Sequence, residues 1–132
     1  MGFVTNDMRL LLESVPALSL TFGTNLFIGR EPTAPDACVT LYTGGTSPRG
    51  MVLGGANGYD RQSFQIRIRA NHYEVGMQLA EDIISAIHGR KQEMWGNVLY
   101  FAIMHQNGPE LIAWDDNNRA IIVLNFNVGR KL

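Results

Sequence analysis

Arg61-Gln62-Ser63-Phe64-Gln65-Ile66-Arg67-Ile68-Arg69-Ala70, running directly into Asn71-His72-Tyr73-Glu74, decides how this chain folds. Phe64, Ile66, Ile68 and Ala70 alternate with Ser63, Gln65, Arg67 and Arg69, the period of a strand with one face on a core. The polar face, which also carries Arg61, meets water or another subunit. Asn71 as N-cap and Glu74 as third helical residue then read as a capping box. Val75, Leu79, Ile83 and Ile87 follow at helical spacing, with Ala80, Ile84 and Ala86 widening the apolar stripe. Gly89 is placed to stop that helix.

Upstream lies a glycine-rich stretch, residues 43–60, in which six of 18 residues are glycine. Such a stretch bends easily and loses much entropy when ordered. Loops of this length inside a domain are uncommon and usually functional. Met51, Val52 and Leu53 form an apolar triplet within it that needs a burial partner, from its own domain or a neighbour. A phosphate cradle is a poor reading. No Lys-Ser/Thr follows the glycines, and they precede a strand, so no helix N-terminus faces an anion.

The remaining chain fits around this unit. Residues 6–15 read as a short helix capped by Thr5 or Asn6, with Met8, Leu11, Leu12 and Val15 as its stripe and Pro16 as its end. Residues 25–29 and 37–42 read as strands, separated by a loop carrying Pro32 and Pro35. A strand is expected over 97–106, a turn at Asn107-Gly108-Pro109, and a hairpin of 110–115 with 119–128 around Asp116-Asn117-Asn118. The expectation is one α+β domain over residues 1–132: a mostly antiparallel sheet of about five to six strands with two helices packed on it.

The totals agree with a single globular domain: 132 residues, 45% hydrophobic, net charge −1. That charge argues against a dedicated nucleic-acid binder, which carries a basic surplus. No apolar run approaches the ~20 residues of a membrane span. The N-terminus lacks the basic and apolar regions of a signal peptide. The single cysteine, Cys38, sits in an apolar strand and reads as a small buried hydrophobe.

A search for chemistry finds little. His72, His88 and His105 have no metal-site spacing, and no serine lies in a G-x-S-x-G elbow. Asp115-Asp116-Asn117-Asn118 lacks the alternating ligands and distal glutamate of a calcium loop and reads as a hairpin turn. Pro35-Asp36 with Gln65-Ile66-Arg67 faintly resembles a nuclease metal core, but lacks its second carboxylate and its lysine. Trp95 and Trp114 read as core or interface anchors. No catalytic residue, metal or cofactor is expected.

The helix containing Asp7-Met8-Arg9-Leu10-Leu11-Leu12, the Thr43-Gly44-Gly45 turn after a buried strand, the Arg61–Ala70 strand and the Tyr73–Ile87 helix directly after it together resemble the tail terminator (minor capsid) proteins of long-tailed bacteriophages. The resemblance spans most of the chain. It implies a virion structural protein, assembled in the host cytoplasm. It further implies a ring, usually a hexamer, that caps the head-proximal end of the tail tube, stops its polymerisation and offers a docking face to the head connector. Partners would be other copies of the chain, the tube protein and the connector, with DNA passing through the lumen without specific binding. Met51, Val52, Leu53, Arg61, Arg67 and Arg69 would then serve the interfaces. The alternatives are a head-completion or head–tail joining neck protein and, more remotely, a small metal-dependent nuclease.

Overall fold

The computed structural model describes residues 3–46, 50–51 and 58–131. The chain begins with helix α1 (Val4–Glu13) and a single 3₁₀ turn (Pro16–Leu18). Strands β1 (Leu26–Ile28), β2 (Cys38–Thr46), β3 (Gly50–Met51) and β4 (Gly58–Ala70) follow. Helix α2 (Tyr73–Ile87) then leads to β5 (Glu93–Trp95), β6 (Val98–Trp114) and β7 (Ala120–Lys131). The strands form one seven-stranded sheet in the order β1-β2-β4-β7-β6-β5, with β3 attached to β4. Only β1 and β2 run parallel. The expected α+β class, mostly antiparallel sheet and two helices are therefore found.

The alternation in β4 does what its period dictates. Ile68 stands between Val39 and Ile122, Ile66 between Leu41 and Leu124, and Phe64 opposite Phe126 across the ladder. These side chains share one face and are buried with Met8, Leu11 and Leu12 of α1 and Ala80, Ile83 and Ile87 of α2. Both helices thus cover one face of the sheet. Phe64 and Phe126 stack at 5.3 Å between ring centroids, a contact worth about 0.5–1.5 kcal/mol beyond area burial.

Several boundaries differ from the expectation, each for a physical reason. The stretch 43–60 is not all loop. β2 extends to Thr46, β4 begins at Gly58, and Gly50 and Met51 pair with Tyr59 and Gly58. β7 pairs with Tyr59 through Ala70, and the long β4 this supports also pairs with Thr46 at Gln62 and with Gly50 at Tyr59. Asn107-Gly108-Pro109 is no turn: β6 runs through it with register shifts. Gly108 takes φ +87 there, and Pro109 falls within the register shift between Asn107 and Glu110, on a strand that at this point has β7 on one side only. The segment before residue 97 holds β5, an edge strand missed because it has only three residues.

The helices shift too. α1 starts at Val4, so Thr5 and Asn6 are not caps; Thr5 and Asp7 are buried within it. α2 takes His72, not Asn71, as its extended N-cap, with no side-chain cap. Gly76 sets this start, because its backbone packs against Ala70 and Ile122 where a Cβ would lie 2.6 Å from Ile122 Cδ1. The buried stripe is Gly76, Ala80, Ile83 and Ile87, and Val75 faces outward, 59% exposed.

Candidate assembly interface

The face of the sheet turned away from the helices carries the polar half of β4. Arg61, Arg67 and Arg69 do share it, but they do different things. Arg69 is 3% exposed and is consumed within the chain. Its guanidinium donates to the carbonyls of Pro32 (2.5 Å), Pro35 (2.6 Å) and Asp36 (3.1 Å), and pairs with Glu31 at 3.0 Å. Arg67 is about one-third exposed and pairs with the other Glu31 oxygen at 2.7 Å. Arg61 is exposed and lies over the Tyr59 ring, 5.4 Å from its centroid.

Arg69 therefore fastens the crossover between β1 and β2 onto the sheet. Arg119 helps, donating to Thr33 O at 2.9 Å and pairing with Asp36 at 3.2 Å and Asp115 at 2.7 Å. The planar, always-charged guanidinium suits this work because one group can satisfy several loop carbonyls. Cys38 and Ile121, the cross-strand neighbours of Arg69, are buried in this region. Burial pushes the Cys38 thiol above its ordinary pKa, which keeps it protonated and unreactive.

Between the crossover and Arg61, the open face carries amides. Gln65 donates to Asn125 at 3.4 Å, and Asn125 donates to Asn107 at 2.6 Å, an amide ladder across three strands. At the loop end of the β2–β4 hairpin, Asp60 accepts from Gln62 at 2.6 Å and from Arg130 at 3.2 Å. Arg130 also reaches Asp7 of α1 at 3.8 Å, and Asp7 accepts a short hydrogen bond from the Tyr100 hydroxyl. Burial and then this bond drive the Tyr100 pKa well above its ordinary value. The buried set Asp7, Asp60, Tyr100 and Arg130 ties α1 to the loop end of the hairpin.

Met51 belongs to β3 by its backbone, but its side chain, Val52 and Leu53 lie outside the described residues. The β3–β4 strand pair to which the Met51 backbone belongs lies beside the buried Asp60–Arg130 pair. Trp95 packs against the core and donates to Glu93 at 3.0 Å, while Trp114 is half exposed. His88 accepts from the His105 amide at 2.9 Å, and the two rings meet edge to face. Asp36 and Gln65, the residues that faintly resembled a nuclease core, are held by Arg119 and Asn125. Among the described residues, no group of three His, Cys, Asp or Glu side chains could hold a metal, and no helix is long and apolar enough to cross a membrane.

The geometry is that of a scaffold, with its polar groups paired to hold loops and hairpins in place. Comparison with known proteins points the same way. A chain in the virion of a native gene transfer agent (GTA) particle matches with a TM-score of 0.65 at 13% identity, covering 95% of this chain and 90% of that one. This likeness establishes a shared fold. No curated protein matches the sequence. The model of the bacteriophage tail terminator protein family matches residues 14–131. The chain belongs to the bacteriophage tail terminator protein family.

Proposed function

We propose that this virion structural protein is the terminator of a phage tail: a ring, with six copies as the expected number, that sits on the head-proximal end of the tail tube. There it stops tube polymerisation and presents the face on which the head connector docks. The observation that carries this reading is the family match over residues 14–131, nearly the whole chain. A scaffold whose buried charges all hold loops and hairpins suits a non-catalytic role.

A closed ring requires one surface of each copy to bind a different surface of the next. The β2–β4 hairpin supplies one such surface, with Met51, Val52, Leu53 and Arg61 as its contact residues. Arg67 contributes at the margin of the open face, while Arg69 acts indirectly by holding the crossover. The net charge of −1 favours a lumen through which DNA passes, because a strongly basic channel would bind phosphates tightly.

The test is imaging. Purified protein is mixed with preformed tubes of the cognate tail tube protein and viewed by negative stain. A compact cap at one end of each tube is expected. Bare tube ends, with binding to DNA-filled heads instead, would move the protein to the neck.

A further inference from the structure

An apolar cavity of about 150 Å³ opens between the 3₁₀ turn, the start of α2 and the Cys38 end of β2. Leu18, Leu20, Val39, Val75 and Leu79 line it. Half-open and also edged by Ser19, Asn25 and Arg69, it has room for one benzene-sized apolar group. It continues into an open groove on α2 where Val75 and Leu79 lie between Glu74 and Asp82. The feature exists because α2 buries Gly76, Ala80, Ile83 and Ile87 instead of Val75. An apolar cavity that adjoins a groove bordered by Glu74 and Asp82 selects an apolar segment with a basic neighbour.

The sequence holds such a segment in Arg49-Gly50-Met51-Val52-Leu53. It cannot reach the cavity of its own chain. Met51 pairs with Gly58, and Gly58 stands twelve residues along β4 from Ala70, which lines the cavity. That stretch of strand is ~40 Å long at ~3.3 Å per residue. Leu53 lies two residues past Met51 and extends at most ~7 Å from it.

We propose that the Met51-Val52-Leu53 segment of one copy seats in the cavity and α2 groove of a second copy, with Arg49 set against Glu74 and Asp82. This rests on the ring reading and names its contact: a heterologous joint, tip to groove, repeated around the ring. Leu53 fills the cavity, Met51 and Val52 cover Val75 and Leu79, and the carboxylates fix the register.

Cross-linking tests it in the Cys38→Ala background. Chains carrying Val52→Cys are mixed with chains carrying Val75→Cys or, as a control on β6, Ile112→Cys, and mildly oxidised. A disulfide-linked pair is expected with Val75→Cys and not with Ile112→Cys. Val75→Asp, at an exposed position that leaves the fold intact by circular dichroism, is expected to weaken assembly more than tenfold by light scattering. Persistence of the wild-type oligomer in Val75→Asp, with no link to Val75→Cys, would overturn the docking and leave the ring standing. A linked pair whose parent assembly holds only two copies would uphold the docking and contradict the ring. A wild-type protein that stays monomeric at every concentration would overturn both.

Discussion

Arg69 shows how a single residue can read one way in a sequence and act another way in the fold. Its place on the polar face of β4 is plain from alternation alone. Its burial under the Glu31–Asp36 crossover is not, because that contact joins residues more than thirty positions apart. Only the proline pair in the crossover hinted that a fixed loop stood nearby. Arg69→Ala leaves Glu31 and the loop carbonyls unpartnered, and such losses cost about 3–5 kcal/mol. A matching drop in urea stability is expected, with Arg69→Lys recovering only part of it because an ammonium cannot fork across several carbonyls.

Two glycines make a sharper residue-scale contrast. Gly96 takes φ +59, and a Cβ there would collide with the Asp7 carboxylate. Gly89 takes φ +85 with nothing within 4 Å of an added Cβ. Gly89→Ala should therefore cost only the left-handed backbone term, about 1–2 kcal/mol. Gly96→Ala should cost roughly 3–5 kcal/mol, since it also displaces a buried carboxylate from its partners. Equal losses in denaturant titrations would contradict this account of the Asp7 site.

At the scale of elements, the strand–helix unit was legible because its two periods are strong and adjacent. The hairpin register was not, because glycine carries no alternation and ladder partners lie far along the chain. The same holds for β6, where Asn107-Gly108-Pro109 has the composition of a turn but occupies a strand with one free side. The rotation of α2 was hidden in Gly76, whose missing side chain lets the helix approach Ile122. Gly76→Leu gains about 1 kcal/mol in helix propensity but overfills a site already closed to a Cβ. Overpacking costs of about 1–3 kcal/mol should win, lowering Tm and increasing apolar dye binding.

The β6–β7 turn gives an element-scale pH prediction. Burial acts to raise the Asp115 pKa, but the amides of Arg119 and Asn117 and the Arg119 guanidinium together outweigh it and hold it below the usual carboxylate value. The folded pKa is thus depressed relative to the unfolded one. The turn's contribution is complete above the unfolded carboxylate pKa of about 4 and fades as pH falls through the folded value. Asp115→Asn should remove that acid-range component, seen as a flatter stability profile below about pH 4.

For the whole molecule, the β3–β4 pairing at Gly58 and the cavity beside Ala70 stand at opposite ends of one strand. Under the proposed ring, that separation gives each copy two unlike surfaces. The apolar triplet is legible in the sequence, but the cavity is not, because it arises only when α2, β2 and the 3₁₀ turn are brought together. A chain that caps a tube acts once per tube end, so very little of it should suffice. The direct measurement is tube length by negative stain, with the protein titrated into polymerising tube protein. Shortened tubes at a ratio of a few chains per tube, each with one capped end, are the predicted result. Tubes of unchanged length, or shortening only when the protein matches the tube subunits in number, would contradict the account.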